Sequence, residues 1–178
     1  KTNVKLLLDR KMVKFPEAVE RPATSFAPSV DELIVAIGTS TGGPRALQEV
    51  LTKLPGNLPC GVVIVQHMPP GFTKSLAERL NSLCALTVKE AEQNDVVSPG
   101  LVLIAPGDYH MTLVREGAKT VVHLDKNPPI GGHRPSVDPM FESVANIYGK
   151  RAVGVILTGM GHDGSRGIKL IKQSSGFT

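Results

Sequence analysis

Leu33-Ile34-Val35-Ala36-Ile37-Gly38-Thr39-Ser40-Thr41-Gly42-Gly43-Pro44 is the stretch on which the fold of this chain turns. Its unbroken apolar run, Leu33 to Ile37, has the character of a strand buried on both faces, as in a parallel sheet. The glycines and hydroxyl residues after it spell a tight turn. Pro44 then stands where a first helical residue is expected, and Leu47, Val50, Leu51 and Leu54 continue with a helical stripe. Strand, glycine-rich turn and helix in this order open a βαβ unit.

The same alternation extends outward. Val62 to Val65 reads as a second buried strand, and Phe72 to Leu83 as an amphipathic helix. Leu101 to Ala105 is a third strand. The runs His110–Val114 and Thr120–Leu124 flank the turn signal Glu116-Gly117 and predict an antiparallel hairpin. A loop rich in Gly and Pro, Asn127 to Pro135, leads into a helix from Ser136 to about Tyr148. Val153 to Leu157 is a further buried strand, and a helix starts over Gly167 to Gln173. No internal repeat is present. The expected fold class is α/β: a three-layer α/β/α sandwich around a mainly parallel, Rossmann-like sheet, with a hairpin added. Residues 1–29, Pro-, Ala- and Ser-rich without a helical or strand period, are expected to be an interdomain linker, and residues 30–178 one domain that begins in earnest near Asp31.

Composition narrows the function. The chain has 178 residues, 41% of them hydrophobic and 20% charged, enough to bury a core. No apolar run approaches the roughly 20 residues that span a bilayer, and no secretory signal opens the chain. The absence of an initiator Met leads to the expectation that sequence upstream has been removed. Cys60 and Cys84 lack metal spacing and read as small buried hydrophobes, which points to a reducing, cytoplasmic setting. The net charge is only +4, and two tyrosines, five phenylalanines and no tryptophan supply few stacking surfaces. Nucleic-acid binding lacks its electrostatic footprint. A mildly basic surface facing an acidic protein partner fits at least as well.

In open parallel sheets, sites form at the carboxyl ends of the strands. Gly38-Thr39-Ser40-Thr41-Gly42 lies at such an end and fits G-x-S-x-G between a strand and a helix, the context in which a serine hydroxyl is presented as a nucleophile. The following helix N-terminus offers amide donors for an oxyanion. The same donors would cradle a phosphate, so a phosphate- or nucleotide-binding turn at Gly38–Gly43 is the alternative. His67 follows the second strand, where an adjacent parallel strand places it beside Ser40 as a general base; its alternative is a capping or packing histidine. Asp163 follows the last strand and can orient that histidine, or serve as an Asx-turn or N-cap residue. The order Ser40, His67, Asp163 departs from the Ser–acid–His order of α/β-hydrolases. A rival set in that order would join Ser40 to Asp108 or Asp125 and to His133 or His162. It is weaker, because Asp125 and His133 fall in the hairpin and loop rather than at strand ends.

Four motifs, G-T-S-T-G-G-P from Gly38, V-Q-H-M-P from Val65, H-R-P-S-V-D from His133 and T-G-M-G-H-D-G from Thr158, together resemble the catalytic domain of the bacterial chemotaxis protein-glutamate methylesterase family, CheB. The resemblance runs from about Glu32 to the end of the sequence. It implies Ser40 as nucleophile, His67 as base, Asp163 as orienting acid, and the Thr41 and Met160 amides as oxyanion donors. It also implies hydrolysis of glutamate methyl esters and deamidation of glutamines on methyl-accepting chemotaxis receptors, with no metal or cofactor. An N-terminal receiver domain, phosphorylated by the chemotaxis histidine kinase, would precede the linker. His133, Arg134 and Ser136 share a matching motif, implying substrate docking or support of the site, against loop closure and an N-cap role for Ser136. His162 reads as a surface residue, and His110 and His123 as hairpin residues. The family's domain continues beyond a segment like Ser174–Thr178, so the C-terminus is expected to be shortened; if the continuation is missing, an edge strand is left unpaired and a wall of the site incomplete. A generic small-molecule serine esterase is the third reading.

Overall fold

The computed structural model describes residues 33–178; the expected linker at 1–29 and the domain start near Asp31 lie outside the described residues. Strand β1 (Ile34–Thr39) leads to helix α1 (Gly43–Leu51), β2 (Gly61–Gln66), α2 (Phe72–Leu83), β3 (Thr87–Glu90) and β4 (Leu101–Ile104). The pair β5 (His110–Glu116) and β6 (Lys119–Asp125) follows, then α3 (Val137–Tyr148), a 3-10 turn (Gly149–Arg151), β7 (Ala152–Ile156) and α4 (Ser165–Gln173).

Five strands form one sheet in the order β3-β4-β2-β1-β7, parallel at every pairing. Side chains alternate across it. From β1, Ile34 and Ala36 face a core shared with Val137, Met140, Phe141 and Val144 of α3 and Ile171 of α4. Ile37 faces the opposite core with Leu47 and Leu51 of α1 and Leu76 and Leu80 of α2. Helices therefore cover both faces, which makes the observed fold the expected three-layer α/β/α sandwich. The antiparallel hairpin of β5 and β6 joins the layer of α3 and α4 through Met111, Leu113 and Val122.

The sequence reading passed over β3. Its Thr-Val-Lys-Glu run has a single buried residue, Val88, because it lies at the sheet edge. On the other side, Phe177 bridges in parallel to Val153 of β7, with Gly154 N–H donating to Phe177 O at 2.8 Å. The topology fixes where a site can form. From β1 the chain crosses to β2 on one side, whereas β7 flanks β1 on the other, so the loops after these three strands meet above one end of β1.

Candidate active site

Register brings the first two residues together. Thr39 of β1 pairs with Gln66 of β2, so Ser40 and His67, the next residues of each strand, stand side by side, and His67 N–H donates to Thr39 O at 3.2 Å. The loop after β7 clamps the turn from its other side. Ser40 N–H donates to Thr158 O at 2.8 Å, and Thr158 Oγ1 donates to Thr41 O at 3.1 Å. The turn is not strained at Ser40, whose φ is not positive. Its left-handed residue is Gly42, at φ 80°, which caps α1. The sharp, strained serine of a nucleophile elbow is thus replaced by a serine held in place by its neighbours.

Ser40, His67 and Asp163 form one hydrogen-bonded chain. Ser40 Oγ lies 3.1 Å from His67 Nδ1, and His67 Nε2 lies 2.7 Å from Asp163 Oδ2. An ionised carboxylate only accepts, so Nε2 carries the ring proton and bare Nδ1 accepts from the serine hydroxyl. This is the reverse of the common arrangement, in which Nε2 faces the serine. The cause is strand register: neighbouring strands stand only about 4.8 Å apart, so the ring nitrogen nearer the backbone meets Ser40. The farther nitrogen reaches away to Asp163.

Asp163 is held from a third direction. Ser136 Oγ donates to its Oδ1 at 2.7 Å, Val137 N–H to Oδ2 at 2.7 Å and Asp138 N–H to Oδ1 at 3.2 Å. Ser136 precedes α3 yet makes no side-chain cap of its own helix. Asp163 takes that place from a distant part of the chain, satisfying amides that the helix start would leave open. Burial works against the carboxylate charge, but the bonds from His67, Val137, Ser136 and Asp138 outweigh it and bring the carboxyl from 3.8 to about 2. Behind this group stands His110, buried at 2% exposure, whose Nε2–H donates to Pro128 O at 3.2 Å while Nδ1 accepts Ser136 N–H at 3.2 Å. Read from sequence as a hairpin residue only, His110 supports the Asp163 cradle.

Gln66 lies at a strand end and within the V-Q-H-M-P motif, but the sequence reading assigns it no role. It is 2% exposed, and its Nε2 donates both to Ser40 O at 3.0 Å and to His67 O at 3.1 Å, tying the two residues through their backbones. The signal was available: an amide closing a continuous apolar strand, one residue before the histidine, must find buried partners. Among the described residues its Oε1 has no hydrogen-bond partner, and it lies against Gly43, where an added Cβ would collide with Oε1 and with Thr39 Oγ1. Gly43→Ala is therefore expected to displace Gln66 and lower stability by about 1–3 kcal/mol. Urea unfolding reads this; an unchanged midpoint would show that the amide moves aside freely.

A cleft over the serine is lined by Thr39, Ser40, His67, Thr158, Met160 and Asp163, among others. Met160 is 80% exposed, while Thr41 is exposed at the start of the turn. Among the described residues, neither the Thr41 nor the Met160 amide donates to a backbone carbonyl. The rival set does not assemble. Asp108 pairs with Arg134 and Lys126, which hold its carboxyl below the ordinary range. Asp125 accepts Asn127 N–H, and His162 is exposed. His133 approaches His67 rather than Ser40. Cys60 and Cys84 are buried free thiols, and burial pushes the Cys60 thiol up. Among the described residues no group of three His, Cys, Asp or Glu is placed to hold a metal ion, and no helix is long and apolar enough to cross a membrane.

A parallel α/β sheet with serine, histidine and aspartate linked above its carboxyl edge defines the class, a domain built like a serine hydrolase. The family model for CheB methylesterase matches residues 35–178, and the chain belongs to that family. It is 49% identical to a protein-glutamate methylesterase/protein-glutamine glutaminase of Halalkalibacterium halodurans, over 97% of this chain and 53% of that protein. A protein of the same description from Pyrococcus abyssi is 45% identical over 99% of this chain and 52% of its own length. The chain thus spans about half the length of these relatives. The crystal structure of the Thermotoga maritima CheB methylesterase catalytic domain superposes with a TM-score of 0.80 at 51% identity, covering 82% of this chain and 77% of that one. The phosphate- or nucleotide-binding alternative finds no support in these similarities.

Proposed function

We propose that this chain is the catalytic part of a chemoreceptor-modifying enzyme, a protein-glutamate methylesterase and protein-glutamine glutaminase that works with Ser40 as nucleophile. The observation that carries the proposal is the chain Ser40 Oγ–His67 Nδ1–Asp163 in a member of this family. His67 Nδ1 takes the hydroxyl proton as Ser40 Oγ attacks the side-chain carbonyl of a methylglutamate. The Thr41 and Met160 amides receive the oxyanion. His67, now an imidazolium stabilised by Asp163, passes the proton to the departing methoxide, and methanol leaves. Water, deprotonated at Nδ1, then opens the acyl-serine and restores the hydroxyl. On glutamine the leaving group is ammonia, which departs only once His67 has protonated it.

The partners that follow are methyl-accepting receptors, reached at their cytoplasmic helices, and a receiver domain ahead of the linker at 1–29 that restrains the site until phosphorylated by the chemotaxis histidine kinase. The proposal places the protein in the cytoplasm. Methanol release from methylated receptor, compared with hydrolysis of a small chromogenic ester, tests it. A strong preference for the receptor is expected. Equal turnover of both would favour a generic esterase, and tight nucleotide binding without ester hydrolysis would overturn the proposal.

A further inference from the structure

The hydrogen bonds of His67 engage the two nitrogens of its ring and not its faces. One face is covered by the ring of His133, with centroids 3.8 Å apart and planes inclined by only 6°. We infer that His133 is a positioning residue whose ring, stacked flat on His67, keeps Nδ1 aimed at Ser40 throughout the proton transfers. The inference rests on the reading of Ser40, His67 and Asp163 as the reacting chain.

The backbone around His133 is built to present that ring. Ile130 N–H donates to His133 O at 3.0 Å and His133 N–H to Ile130 O at 2.9 Å, closing a tight turn over Gly131 and Gly132. Both glycines have left-handed φ, 57° and 83°, which a side chain would resist. On the other side Arg134 is anchored. Its Nε donates to Asp108 Oδ1 at 3.0 Å, its Nη1 to Lys126 O at 3.0 Å and Asn127 O at 3.1 Å, and its own carbonyl accepts Asp108 N–H at 3.1 Å. His133 itself has no ring-nitrogen hydrogen bond among the described residues, so the contact that defines its ring plane is the stack on His67.

Such a stack answers a mechanical need. His67 must give and take a proton at Nδ1 while Nε2 stays on Asp163. Rotation about its terminal torsion, which is intrinsically soft, would swing Nδ1 off the serine. A flat ring against its face blocks that rotation and excludes water from that side.

The test compares His133→Ala, His133→Leu and His133→Phe in the same chain for methanol release from methylated receptor, with Ser40→Ala in parallel. Loss of the ring is expected to lower kcat by about 10- to 100-fold in the Ala and Leu variants, the scale on which slight misplacement of a reacting group acts, with KM little changed. Phe, which keeps a flat face without nitrogens, is expected to recover most of that loss. Wild-type kcat in His133→Ala would overturn the inference, as would Phe no better than Leu, or a rise in KM with kcat unchanged. Should the Ala variant fail to fold, the Phe-against-Leu comparison still decides. Methanol release that persists in Ser40→Ala would instead overturn the reading on which the inference rests.

Discussion

Ser40→Ala is expected to lower kcat for methanol release from methylated receptor by about 10^4- to 10^6-fold, the range seen when a member of a serine triad is removed. The fold should survive. Ser40 is held by its backbone, through its N–H to Thr158 O, the Gln66 Nε2 bond to its carbonyl and Gly43 N–H to the same carbonyl at 2.8 Å. Among the described residues the hydroxyl contributes only its bond to His67. The unfolding midpoint is therefore expected to stay close to the parent while turnover vanishes. A separation of this kind marks a residue used for chemistry rather than for packing. Turnover within tenfold of the parent would remove Ser40 from the reaction.

Asp163→Asn has the second largest expected effect, and it acts on two properties at once. An amide can meet His67 Nε2 with either its oxygen or its NH2 group, so the ring is no longer held to the tautomer with Nδ1 bare, and kcat should fall by about 10^4-fold. Stability falls as well, because the carboxylate accepts from Ser136 and from two amides at the start of α3. The folded chain holds this carboxyl at about 2, against an ordinary 3.8. The folded state is therefore favoured by about 2 kcal/mol once pH lies above the unfolded value. That contribution is lost as pH falls from about 4 towards 2. Acid titration of the unfolding free energy should thus show a slope over this window in the parent that flattens in Asp163→Asn. Equal slopes in both proteins would show that the cradle does not favour the charged carboxylate.

Much of the fold was legible because the sequence alternates two unlike periods. Short, β-branched apolar runs such as Val62 to Val65 mark strands covered on both faces, and stripes such as Leu76, Ala77 and Leu80 mark helices with one face inward. β3 escaped because an edge strand with one buried side chain carries neither signature. The site was legible where it depends on topology, since residues just after parallel strands converge at one edge and His67 needs no more than register to reach Ser40. It was not legible where it depends on tertiary placement. Nothing in the sequence says that Asp163 caps a helix that begins 26 residues earlier, that Ser136 donates away from its own helix, or that the His133 ring lies flat on His67. Nor does spacing reveal which imidazole nitrogen faces the serine. That follows from strand separation and side-chain length together.

The orientation of the imidazole decides whether His67 can activate Ser40, and nitrogen NMR of the histidine-labelled chain at neutral pH reads it atom by atom. The prediction is a His67 ring protonated at Nε2 and bare at Nδ1, with Ser40→Ala perturbing chiefly Nδ1 and Asp163→Asn chiefly Nε2. A ring protonated at Nδ1, with Ser40→Ala leaving both nitrogens unmoved, would contradict the proposal that His67 activates Ser40 through the nitrogen the structure places against it.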